Sequence, residues 1–416
     1  MKRPELHFTP PINWMNDPNG LIYFGGKYHI FYQHFPYAPI WGRMHWGHAV
    51  SDDLAHFEHL PIALFPSKAY DSDGVFSGSA IEKDNKLYLY YTAIKYKDSD
   101  PENTNLCGSK LITSQALITS EDGYHFDNFG GKTQAVKVIE DKSIGDSEHA
   151  RDPKVWKYGD KYYMVIGSLM RDDDDLFKSA PELLFYESED AVNWQYKNKV
   201  VGKDFGYMWE CPDVFEVKGK TVCVMSPQGI KGYLREDLAM FGIVDFNNET
   251  CEMKLDKDDF RVVDYGLDYY APQSFLDKKG RRTQIGWIRM KAPCTDDNGT
   301  QWIGVYTMPR VVTVENGEII TRPHPEVKRC YKFYEEFTQV EDINKPYCIK
   351  RTMKSGDSIR LTDYVLKKTD NALVAIRDNA EYSAPCLDTA EVEIYVDANI
   401  VETYIDDGKA VITHTI

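Results

Sequence analysis

Apolar residues come in short runs separated by polar turns along most of this chain, and almost nowhere at helical spacing. Five segments share one pattern: PNGLIYFGGKYHIFYQ, SGSAIEKDNKLYLYYTA, RDPKVWKYGDKYYMVIGS, CPDVFEVKGKTVCVMSP and APQSFLDKKGRRTQIGWI. In each, a small or polar opening leads into an apolar strand, a turn of Gly, Asp, Asn or Lys, and a second apolar strand, which is a β-hairpin. The segments recur at roughly 60 to 75 residues, the length of a four-stranded blade with generous loops. A second repeat follows the first three hairpins: Ser51-x-Asp53-x-x-x-Phe57, Ser120-x-Asp122-x-x-x-Phe126 and Ser188-x-Asp190-x-x-x-Trp194. Ser and Asp would cap the turn of an outer hairpin, and the aromatic would anchor the next strand. Two hairpins in each of five units predict an all-β chain whose first part is a five-bladed β-propeller.

The fifth unit ends near VVTVENGEIITRP, a hairpin turning at Asn316-Gly317, and Pro323 and Pro325 mark a boundary. Residues 1–322 are expected to form the propeller and residues 323–416 a small second domain. Alternation in Val392-Glu393-Ile394-Tyr395-Val396 and a turn at Asp407-Gly408 predict a β-sandwich or a fragment of one.

The formal net charge of −16 leaves no electrostatic footprint for nucleic acid and disfavours a polyanionic substrate, although a small basic pocket is compatible with it. The opening MKRPELHFTPPINW lacks an apolar core for a signal peptide, and no stretch approaches the roughly 18 apolar residues of a membrane span. The 8 cysteines are scattered, without a C-x-x-C pair, and are expected to be reduced, so the expected address is the cytoplasm.

Propeller loops that enter the innermost strands converge at one end of the axis. Asp17 precedes the first hairpin, Asp152 opens the third and Glu210 stands just before the fourth, so three carboxylates share one structural address. A glycosidase needs such a set, with one carboxylate at the anomeric carbon and another to protonate the leaving oxygen.

Asn13-Trp14-Met15-Asn16-Asp17-Pro18-Asn19-Gly20 resembles the signature of invertases and fructan β-fructosidases, glycoside hydrolase family 32. Arg151-Asp152-Pro153 and Glu210-Cys211 resemble that family's second and third motifs. FYQHFP…WGRMHWGHAVSDDLAHF, Phe76-Ser77-Gly78-Ser79 and Tyr270-Ala271-Pro272-Gln273 match as well, in the family's order. The resemblance implies a retaining β-fructofuranosidase with Asp17 as nucleophile, Glu210 as acid and then base, and Asp152 holding fructose hydroxyls in the transition state. It also implies substrate contacts from Asn16, Gln33, Trp41, Phe76, Ser77 and Arg151. Trp41 and Phe76 would form an apolar wall, Gln33 and Ser77 would bond hydroxyls, and Arg151 would balance local charge. Asp17 is expected to stay ionised, with donors supplied by the Asn13, Asn16 and Asn19 cluster directly or through turn backbone amides. Glu210, as the acid, calls for a desolvated setting, with Trp209 and Cys211 as its apolar neighbours. The region after 323 is short for the family's usual sandwich.

No cofactor or metal is expected. His45, His48, His56 and His59 do not form a ligand set on one face, and Asp172 to Asp175 lack EF-hand spacing. The expected partner is a small carbohydrate: sucrose or a short fructo-oligosaccharide, with sucrose 6-phosphate as an alternative. The rival activities are a fructosyltransferase on the same scaffold, a non-catalytic sugar-binding propeller and an inverting arabinanase. Oligomeric state is left open.

Overall fold

The computed structural model describes residues 2–98, 110–172, 175–233, 235–361 and 364–416. Cys107, and Asp173 and Asp174 of the acidic run, lie outside the described residues. Residues 13–323 build five sheets in chain order, mostly antiparallel, and each expected hairpin forms the first two strands of one sheet. The innermost strands are Asn13–Phe24, Gly74–Lys83, Arg151–Tyr158, Met208–Val217 and Tyr269–Leu276. Each packs against the next, and the fifth packs against the first. Gln301–Ile303, beyond the fifth hairpin, pairs in parallel with the start of Asn13–Phe24 and so ties the late chain to the first sheet.

Local chemistry explains the turns. Asp84-Asn85 and Asn316-Gly317 reverse two hairpins with both central residues at positive φ, the geometry that matches strand twist. In the Ser-x-Asp turns, Ser51, Ser120 and Ser188 accept from the backbone N–H three residues on, at 2.8–2.9 Å. Asp53, Asp122 and Asp190 accept from the N–H two residues on, at 2.8–2.9 Å. The aromatic that follows reaches the preceding sheet: Phe126 packs edge-on against Phe31, and Trp194 against Tyr90.

After Pro323 a single helical turn, Pro325–Lys328, leads into two further sheets of five and four strands around their own apolar core. The short C-terminal region therefore still yields two facing sheets. The seven described cysteines are free. Among the described residues, no helix is long and apolar enough to cross a membrane.

A buried charged network joins these two sheets to the rest. Arg310 donates to Asp264 (2.9 Å) and Glu402 (2.6 Å), and His7 lies between Asp397 (2.9 Å) and Glu402 (3.0 Å). Burial alone would depress His7, but its hydrogen bonds to Asp397 and Glu402, and their charges, outweigh burial and raise it to about 9. A raised histidine stabilises the fold fully below its unfolded value near 6.5, and that contribution is lost as pH rises through about 9. His7→Gln should cost about 3–5 kcal/mol at pH 6, the range for breaking a buried pair. Urea unfolding should show the gap between the two proteins narrowing toward pH 9; a constant gap would rule out a protonated His7.

Candidate active site

All five innermost strands break register with their neighbours near their first residues, between Met15 and Pro18, Phe76 and Gly78, opposite Val165 to Gly167, between Glu210 and Asp213, and between Tyr270 and Gln273. Proline explains much of this, because Pro18, Pro153, Pro212 and Pro272 have no N–H for the ladder. The residue before three of these prolines is left-handed: Asp152 at φ 66°, Cys211 at 46° and Ala271 at 48°. Such backbone costs of order 1–3 kcal/mol per residue and concentrates at functional sites. In the second strand Gly78 takes the proline's place, where a Cβ would lie 1.9 Å from the Tyr90 carbonyl oxygen. These bulges re-aim the intervening side chains, and the cluster they form contains Asp17, Ser77, Asp152 and Cys211.

Cys211 connects the carboxylates. Its backbone N–H donates to Asp152 Oδ2 at 2.9 Å, while its Sγ lies 3.6 Å from Asp17 Oδ2 and 3.7 Å from Asp152 Oδ2. Asp17 Oδ2 accepts from Ser77 Oγ at 2.6 Å and from Gln33 Nε2 at 3.4 Å, and Oδ1 from Asn16 Nδ2 at 3.1 Å. Gln33 also bonds Ser77. Glu210 Oε1 accepts from Arg151 Nε (3.1 Å) and Nη2 (3.0 Å). Its Oε2 accepts from Tyr270 Oη (2.7 Å) and Gln228 Nε2 (2.9 Å). Trp41 and Phe76, both half-buried, meet edge to face with centroids 5.5 Å apart.

Three acids and one guanidinium leave an excess of negative charge in little solvent. Burial pushes Asp17 up to about 6, with the Glu210 charge adding to it, against the hydrogen bonds of Ser77, Asn16 and Cys211. Burial pushes Asp152 up to about 7; Arg151 opposes this, while Glu210 and Asp17 reinforce it. The cluster therefore retains a proton to near neutral pH while Asp17 is mostly ionised there.

One step further along the same strands, polar contacts link neighbouring inner strands. Lys154 Nζ lies 3.2 Å from Asp213 Oδ2, which accepts from Ser274 Oγ at 2.6 Å, and Ser79 Oγ donates to the Pro153 carbonyl at 2.8 Å.

A family profile described as glycosyl hydrolases family 32 N-terminal domain matches residues 7–323. The chain belongs to glycoside hydrolase family 32. A sucrose-6-phosphate hydrolase of Vibrio alginolyticus is 33% identical over 99% of this chain and 85% of its own length. The solved sucrose-6-phosphate hydrolase of Lactobacillus gasseri superposes with a TM-score of 0.84 at 25% identity, covering 100% of this chain and 88% of that one. A β-fructofuranosidase of Bombyx mori gives 0.79 at 29% identity, over 100% and 89%. The chain is thus a glycoside hydrolase with the all-β architecture of family 32, a β-propeller followed by a β-sandwich.

Within this family 32 chain, the nine residues singled out from the sequence fall in or beside the cluster, but three supporting roles differ from expectation. Of the asparagines near Asp17 only Asn16 reaches it; Asn13 donates to the Pro36 carbonyl, and Asn19 accepts from the Gly78 N–H. Trp209 is not a neighbour of Glu210, because strand alternation turns it into the apolar core, where its indole donates to the Phe205 carbonyl. Cys211 sits against Asp17 and Asp152. The sequence does not mark Tyr270 and Gln228 as partners of Glu210, although Tyr270 opens Tyr270-Ala271-Pro272-Gln273 at the place equivalent to Arg151 and Glu210. The four histidines serve locally: His45 bonds the Arg43 carbonyl, His48 bonds His29, His56 bonds Asp53 and His59 packs on Phe8. Among the described residues, no group of three or more His, Cys, Asp or Glu is set to hold a metal ion.

Proposed function

We propose that this family 32 enzyme is a retaining β-fructofuranosidase that removes the terminal β-D-fructosyl residue of sucrose or short fructo-oligosaccharides. The observation that carries the reading is that Asp17 and Asp152, from separate strands, meet at Cys211, next to Glu210, whose charge acts on both. Asp17 attacks the anomeric carbon and forms a fructosyl-enzyme, while Glu210 gives its proton to the departing glycosidic oxygen. Glu210 then takes a proton from the water that releases fructose. Asp17 Oδ1 has one donor against several on Oδ2, which makes it the freer oxygen for attack. Arg151, Tyr270 and Gln228 fix the Glu210 carboxyl, and Asp152, with its N–H on Thr92 Oγ1, is held to receive sugar hydroxyls. Trp41 and Phe76, in edge-to-face contact, form the apolar wall of a pocket that admits one terminal sugar.

The same reading takes the scaffold as a five-bladed propeller, residues 1–322, followed by a sandwich domain, residues 323–416. It is supported by the five sheets in chain order, the packing of fifth inner strand on first, and the family match ending at 323. A cytoplasmic address suits the free cysteines. A second reading, sucrose 6-phosphate as substrate, is favoured by the names of the relatives.

Stereochemistry tests the mechanism. NMR recorded within seconds of mixing with sucrose should show β-fructofuranose before mutarotation. The α anomer appearing first would mean a single displacement, with Asp17 acting on water and not on the sugar.

A further inference from the structure

Cationic side chains in the loops around the site are matched unequally by acids. Near Trp41, Arg43 pairs with Asp73 at 3.2 Å, one charge to one. Beside Arg151, Arg171 bonds Asp146 at 2.7 Å and Glu148 at 3.1 Å, and Lys97 shares Glu148 at 2.9 Å, two cations to two acids. Next to Tyr270 the balance changes. Arg235 and Arg289 both bond Oδ2 of Asp237, two cations on one carboxylate.

This pair stands on the Glu210 side of the site. The Arg289 guanidinium lies 4.6 Å from the centroid of Tyr270, whose hydroxyl donates to Glu210 Oε2 at 2.7 Å. Arg289 Nε is buried and has no hydrogen-bond partner, and burial, then the like charge of Arg235, depress Arg289 below the usual guanidinium range. Arg235 retains 24% side-chain exposure and Arg289 16%, so solvent reaches both. Glu236, between them in sequence, is exposed and forms no ion pair with either among the described residues. Arg289 Nη1 and Nη2 already bond the Asp237 side chain and carbonyl, so what a dianion beside the pair would supply is relief of their mutual repulsion.

Glu210 is the proposed proton donor to the leaving oxygen, so the leaving sugar must lie on its side of the site. We propose that Arg235 and Arg289 are specificity-determining residues that receive a phosphate carried by the leaving hexose, which makes a phosphorylated sucrose the preferred substrate class. This rests on the β-fructofuranosidase reading and selects its phosphorylated variant. The chain's negative total charge does not argue against it, because charges more than a Debye length away, about 8 Å at physiological salt, are screened.

The experiment compares kcat/KM for sucrose 6-phosphate and sucrose at one ionic strength, in the native enzyme and in Arg235→Gln, Arg289→Gln and Arg43→Gln. The native preference for the phosphate should be tenfold or more, about 1.4 kcal/mol. Arg235→Gln and Arg289→Gln should each lower that ratio by tenfold or more, and Arg43→Gln should hold it within about twofold. Glucose 6-phosphate should inhibit sucrose hydrolysis more strongly than glucose, and Arg235→Gln should erase the difference. Native cleavage of sucrose without a phosphate preference, or a ratio that collapses only in Arg43→Gln, overturns the assignment and leaves the fructosidase reading standing. Failure to cleave either sugar would reject the fructosidase reading itself.

Discussion

Asp17→Ala should lower kcat/KM on sucrose by about 10⁴-fold or more, because the covalent route is lost and water must attack unaided. Azide gives the decisive readout. It fits the space left by the carboxylate, attacks from the same face and should yield α-fructosyl azide with partial recovery of turnover. In the native enzyme, kcat/KM should fall on the acid side through about pH 6, because burial and the Glu210 charge raise Asp17 to that value and a protonated carboxyl is no nucleophile. Asp152, raised to about 7, titrates with it, so the limb belongs to the cluster and not to one group. A recovered β azide would place the missing group on the other face of the sugar, and Asp17 would then not be the nucleophile.

Glu210→Ala should behave in the opposite way on two substrates. Cleavage of sucrose needs a proton on a poor leaving group, and removal of a general acid costs about 10²–10⁴-fold. An aryl fructoside with a nitrophenolate leaving group needs none, so its first step should stay within about tenfold of the native rate. Its second step loses the base, so fructosyl-enzyme should accumulate after a burst, and azide should release it as the β azide. Equal losses on both substrates, without a burst, would mean that the variant had damaged the cluster as a whole. Arg151, Tyr270 and Gln228 all donate to Glu210, and their donors would be left facing an empty space.

These two variants rest on residues that short motifs made visible, and the reason is local. Asp17-Pro18, Asp152-Pro153, Cys211-Pro212 and Ala271-Pro272 mark where a strand cannot continue its ladder, and that break is where the side chains are re-aimed. The Ser-x-Asp turns and Asn316-Gly317 were equally legible, since a turn is made by atoms two or three residues apart. Period-two alternation gave the strands, including Thr389–Asp397 near the end of the chain.

The tertiary structure decided everything that depends on which strands meet. No spacing links Gln228 or Tyr270 to Glu210, because they sit on the neighbouring strand and the neighbouring sheet. Alternation sets Trp209 opposite Glu210, but the bulge between Glu210 and Asp213 breaks the phase that the later apolar run would carry back to it. Nor did residue order reveal that His7 would be enclosed by Asp397 and Glu402, about as far along the chain as two residues can be. The total charge of −16 follows from composition, but a substrate phosphate responds to the charges within a few ångströms of it. Two arginines share one carboxylate beside Tyr270 only because the fold brings residues 235, 237, 270 and 289 together.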